Sequence, residues 1–138
     1  MEEVSITRSV ELEAGVDDVW QAVTTPELLS GWLEGDVDVD VRPGGDGVLV
    51  EPGGAVRRMR VDEVEPPRRL ALQWWPEEGS EPASTVQLDL QPTPGGTRLV
   101  VTETRLAPTT VAASAAAGRW DLRFLLLGCS LVGAAACR

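Results

Sequence analysis

The last thirty or so residues, Pro108 to Arg138, are the only stretch of the chain long enough to form a major helix. Within it Ala113, Ala117, Trp120, Phe124, Leu127, Leu131 and Ala134 recur at alternating intervals of four and three. That spacing places them in one stripe along an α-helix. An apolar stripe needs a surface to cover it, and the sequence upstream supplies seven short strand candidates. The expected partner is one face of a curved antiparallel sheet, with the helix lying across it.

The strands are read from their period of two. From Val4 to Ala14, residues Val4, Ile6, Arg8, Val10 and Leu12 share a side, so Arg8 is either a strand-end charge or a cavity residue. Gly15 turns the chain into a short helix, Val16 to Val23, with Asp17 and Asp18 in its favourable first turn. Thr25 and Pro26 start a second, Thr25 as N-cap, and Trp32 closes it where its ring can line a core or roof a pocket. From Asp36 to Arg42, valines alternate with aspartates. This Asp-x-Asp-x-Asp ladder lacks the glycine-punctuated loop and closing glutamate of a calcium-binding loop, so it reads as the wet face of a strand. The glycines of 43–47 and 52–54 bracket the strand Val48 to Glu51 and join strand to strand, which makes them hairpin turns and not a phosphate cradle. Further strands run from Ala55 to Val64, Arg69 to Trp75, Thr85 to Leu90 and Thr97 to Thr104. On the last of these, Glu103 shares a side with Leu99 and Val101. An acid there either sits at a wet rim or lines a solvated cavity, because an unpaired buried charge is costly.

At 138 residues the chain is sized for one domain, 1–138, that buries roughly 70% of its unfolded surface. Its net charge of −10 argues against a nucleic-acid partner. All 12 basic residues are Arg, and Lys, His, Tyr and Asn are absent. The chain therefore has no imidazole base, Schiff-base amine, phenolic acid or histidine metal ligand, and no metal or other cofactor is expected. Cys129 and Cys137 lie about 12 Å apart along the predicted helix, too far for a disulfide, and read as small buried hydrophobes. The start, Met-Glu-Glu-Val-Ser-Ile, has no signal-peptide character, so a cytoplasmic location is expected.

The order of strand, two short helices, six strands and long helix resembles the family of activators of heat-shock protein 90 ATPase homologues. That family lies within the START-like, polyketide-cyclase-like (SRPBCC) helix-grip superfamily. Four segments carry the resemblance in the family's order: Glu13 to Trp32, Val41 to Gly45, Val61 to Trp74 and Gly96 to Glu103. Two departures are visible: Gly15 stands where the family usually has proline, and the final helix is more apolar in its second half. The family's tryptophan near the start of that helix corresponds to Trp120. The resemblance implies an α+β helix-grip fold, with a seven-stranded sheet wrapped around the long helix and a cavity between them.

Three functions follow as expectations. The first is non-catalytic binding of a hydrophobic or aromatic small molecule, lipid- or polyketide-like, by Trp32, Met59, Val61, Trp74, Leu88, Val101, Glu103, Trp120 and Phe124. The bland alternative for these residues is core packing. The second is a cyclase- or hydrolase-type enzyme with Glu103 as base and Arg60 or Arg8 holding an anionic intermediate. The third is a chaperone-associated interaction module, although the eukaryotic members carry a further N-terminal domain for which this chain has no room. Finally, Phe124 to Cys137 is uncharged but too short to span a bilayer. Leu125, Leu126, Cys129 and Val132 lie off the stripe, so this surplus face is expected to meet the short helices or, in a homodimer, a second copy.

Overall fold

The structure, a computed structural model, describes residues 2–78, 82–107, 119–128 and 131. Strand β1 (Glu2–Leu12) leads into two short helices, α1 (Val16–Thr24) and α2 (Pro26–Ser30). Six strands follow: β2 (Asp36–Val39), β3 (Asp46–Val50), β4 (Val56–Glu65), β5 (Arg69–Pro76), β6 (Ser84–Thr93) and β7 (Gly96–Ala107). A final helix, α3, covers residues 119–128. The strands form one seven-stranded sheet in the order β1-β7-β6-β5-β4-β3-β2, antiparallel at every pairing. Consecutive strands from β2 onward are neighbours, as short hairpin connections require. The two short helices carry the chain from β1 at one edge to β2 at the other.

Period two decides which face each strand buries. Leu70, Leu72 and Trp74 on β5, Val86, Leu88 and Leu90 on β6, and Leu99 and Val101 on β7 are all in the core. On β4, Met59 and Val61 face inward, and the register shifts between Val61 and Glu63. The bulge places Val64 opposite Leu70, so an apolar residue again meets an apolar one after two acidic positions. Val37 and Val39 are buried on β2 while Asp36, Asp38 and Asp40 are exposed. Three carboxylates along an edge strand discourage pairing with another chain.

The turn between β2 and β3 shows why its glycines are there. Gly44 has φ +82, and a Cβ on Gly45 would stand 2.0 Å from the Asp40 carbonyl oxygen. The Gly44 N–H donates to Val61 O, and Gly45 O accepts from the Val61 N–H, so the turn spends its polar backbone on β4. At α2, Thr25 occupies the N-cap position, but its hydroxyl donates to Gln21 Oε1 and makes no capping bond. The Trp32 indole N–H donates to Ala22 O at 3.0 Å, tying the end of α2 to α1.

The helix stripe is present where it is described. Trp120, Phe124 and Leu127 are buried, and Leu131 packs against the core. Ala113, Ala117 and Ala134 lie outside the described residues, as do Cys129, Val132 and Cys137. Off the stripe, Leu122 and Leu125 are exposed, whereas Leu126 is partly covered by the core. Among the described residues no helix is long and apolar enough to cross a membrane.

Candidate functional site

Glu103 is the residue that the strand pattern singles out, and its surroundings define the site. It lies on β7 between Ile6 of β1 and Val86 of β6, and it is 4% exposed. The carboxylate is at no wet rim. Trp74 on β5 donates its indole N–H to Oε2, and Trp120 on α3 donates to Oε1, each at 2.9 Å. Both oxygens thus receive a donor, which is how a buried carboxylate is made tolerable.

The two donors also meet each other. Their rings are stacked with centroids 5.8 Å apart, and Phe124 tilts against Trp120 at 6.1 Å. The Arg123 guanidinium covers the pair, 4.6 Å from the Trp120 ring centre and 5.1 Å from that of Trp74. Arg57, paired with Glu51 at 3.0 Å, approaches Trp74 at 5.3 Å. Cations over indole faces are attracted by the ring quadrupole, most strongly where water is excluded.

Arg123 is 2% exposed, and sequence reading did not identify it as a site residue. Burial, reinforced by the charge of Arg119, pushes its guanidinium down to about 10, against the opposing pull of Glu103 and Glu34. Glu34 Oε2 lies 3.6 Å from Arg123 Nε, an ion pair beyond hydrogen-bond length. Glu34 sits in the turn between α2 and β2 with φ +63, a left-handed conformation uncommon for residues with a side chain.

Beside this cluster is a chamber of about 20 Å³. Its walls include Trp32 and Leu33 from the helical side, Met59, Trp74 and Leu88 from the sheet, and Trp120 from α3. That space holds about one water molecule. Five of the nine expected ligand-binding residues therefore meet at the chamber: Trp32, Met59, Trp74, Leu88 and Trp120. Val61 and Val101 are buried in the core nearby, and Glu103 is tied to two of the chamber walls. Phe124 faces a separate open groove of about 450 Å³ between β1 and α3, together with Val10, Leu12 and Leu125.

The two arginines considered as anion holders are elsewhere. Arg60 is exposed, between the inward-facing Met59 and Val61. Arg8 lies at the rim, half-exposed, 3.4 Å from Asp121 of α3. The arginine actually inside the interface is Arg123.

A profile of the family described as Activator of Hsp90 ATPase homolog 1-like protein matches residues 13–124. No curated protein matches the chain. Among solved structures, protein MLL2253 from Mesorhizobium loti is similar at 25% identity and a TM-score of 0.86, over 93% of this chain and 96% of that one. DynU16, described as a protein in the dynemicin biosynthetic locus, is similar at 25% identity and a TM-score of 0.86, over 94% of this chain but 48% of its own. CalU16 from Micromonospora echinospora is similar at 28% identity and a TM-score of 0.74, over 94% of this chain and 75% of that one.

Proposed function

The chain belongs to the family of Activator of Hsp90 ATPase homolog 1-like proteins, and from that premise we propose that it binds a hydrophobic or aromatic small molecule between α3 and the sheet without transforming it. The observation that carries this reading is a buried carboxylate held by two indoles that themselves wall an apolar chamber. Packing alone does not call for a charge there, since a wholly apolar set in place of the carboxylate and its polar partners fills such a space at lower cost. Ligand sites, by contrast, combine apolar and aromatic walls with a few fixed polar groups. That DynU16 is described as a protein of a biosynthetic locus is in keeping with a small-molecule ligand.

At about 20 Å³ the chamber is in a closed form, and a ligand has to displace Trp120 or α3 to enter. Binding is therefore visible in tryptophan emission. Titration with the neutral probe 2-naphthamide is expected to give a saturable change in emission, with one bound probe per chain by native mass spectrometry. Absence of both responses contradicts the reading.

A cyclase- or hydrolase-type reaction has less support. Glu103 already accepts two indole donors, Arg60 faces solvent, and Arg8 is engaged with Asp121 at the rim. For assembly, we propose pairing of two copies through α3, whose Leu122 and Leu125 are 45% and 65% exposed. Sedimentation at high micromolar concentration is expected to show a dimer; a monomer refutes it. Residues 1–138 are proposed to act as one domain, and the cytoplasm is the proposed location.

A further inference from the structure

We infer that the ligand held between α3 and the sheet carries an acidic group, a carboxylate or its chemical equivalent, which docks on Arg123 in place of Glu34. This rests on the binding function proposed above and adds the chemical class of the ligand's polar end.

The first support is an unmet donor. Arg123 Nε is buried and makes no hydrogen bond among the described residues. Glu34 supplies charge at 3.6 Å but no hydrogen bond. A buried N–H left in this condition is costly, and a planar acid within reach relieves it with a charge-assisted bond. The second support is the company Arg123 keeps. Its guanidinium carbon lies over the rings of Trp74 and Trp120, which attract its charge but offer no acceptor oxygen to the Nε–H.

The third support is the position of Glu34. Its side chain is 28% exposed, so it can turn outward into water when another acid replaces it. Its backbone is held at φ +63, in a region that costs free energy for a non-glycine residue. The preceding residue, Leu33, walls the chamber. A wall of the chamber and the partner of Arg123 are therefore consecutive residues of one turn. Arg119 and Arg57 act against the Arg123 charge, while Glu103 and Glu34 support it, so an acid that replaces Glu34 takes over its share of that support. An apolar carboxylate fits better than a phosphate, because a dianion loses more hydration against aromatic walls.

The test compares two isosteric probes, 2-naphthoate and 2-naphthamide, by calorimetry and tryptophan emission on the full chain. Naphthoate is expected to bind at least about tenfold more tightly than the amide, the scale of one charge-assisted hydrogen bond. Arg123→Met is expected to erase that preference, and Arg60→Met, on the exposed face, to leave it intact. Glu34→Gln is expected to tighten naphthoate several-fold and leave the amide unchanged; this variant keeps the test sharp if Arg123→Met does not fold. Equal affinity for the two probes in the unmodified protein overturns the acid inference alone. So does a preference that survives Arg123→Met, or naphthoate affinity that Glu34→Gln fails to raise. Failure of both probes to bind overturns this inference and the binding function together.

Discussion

The interface between α3 and the sheet is built in two ways. Around the chamber, Met59, Leu70, Val86 and Leu88 meet Trp32 and Leu33 with about 20 Å³ left over, so burial is solved by shape. Beside them, Glu103, Trp74, Trp120 and Arg123 solve it by pairing, with each carboxylate oxygen and each indole face assigned a partner. The first region is nearly complete. The second leaves Arg123 Nε without a hydrogen bond among the described residues. A packed apolar wall yields to a ligand by moving, whereas an unmet donor selects one. The difference separates what makes the interface stable from what makes it selective.

The comparison breaks most visibly at Glu103. Glu103→Leu removes the acceptor of two buried indoles and the nearby countercharge of Arg123, and is expected to cost about 4 kcal/mol. Glu103→Gln keeps one carbonyl oxygen and is expected to cost about half as much. Urea unfolding measures both; a loss below about 1 kcal/mol for the leucine variant means that the pairing contributes little.

In the chamber, Leu88→Ala is expected to cost about 3 kcal/mol through lost burial and an enlarged cavity. The same variant should bind 2-naphthamide more tightly than the parent, because space no longer has to be opened. A stability loss with weaker amide binding would separate the chamber from the ligand site.

Arg123 sharpens the contrast through pH. Its proton is held less tightly in the fold, at about 10, than on a guanidinium in water. The buried charge therefore opposes folding in full below about pH 10, and the opposition is relieved as pH rises above it. Relative to Arg123→Met, the unmodified protein should hold a constant stability difference from pH 7 to 9, then gain by up to about 1.4 kcal/mol per pH unit above pH 10. The chain has no Lys, His or Tyr to blur that window. A flat difference through pH 11 contradicts it.

Outside both regions the effects should be smallest. Asp38→Asn, on the exposed side of β2, is expected to change stability by less than about 0.5 kcal/mol in the same unfolding assay.

Much of this architecture is legible in the sequence because strand and helix periods register burial directly. The alternation of Val37 and Val39 with aspartates, and the stripe of Trp120, Phe124 and Leu127, are buried as their spacing requires. Glu103 stood out as an acid at an apolar position, but its partners did not. Trp74 precedes it by 29 residues and Trp120 follows it by 17, and no local period links them. Arg123 carries no such mark in the strand pattern and simply precedes an uncharged run. Its spacing held the signal: three residues after Trp120 and four before Leu127, it lies within about 60° of both on a helix. The closed chamber was not legible, because residue types give the lining of a cavity but not whether side chains fill it.

The account's central claim is that a ligand sits among the tryptophans of the helix–sheet interface. Indole N–H resonances in a nitrogen-15 spectrum test it directly, with 2-naphthamide added to saturation. The signals of Trp32, Trp74 and Trp120 should move together, while that of Trp75, which alternates with Trp74 to the opposite side of β5, should stay. A shift confined to Trp75, or no shift in the other three, would contradict the claim.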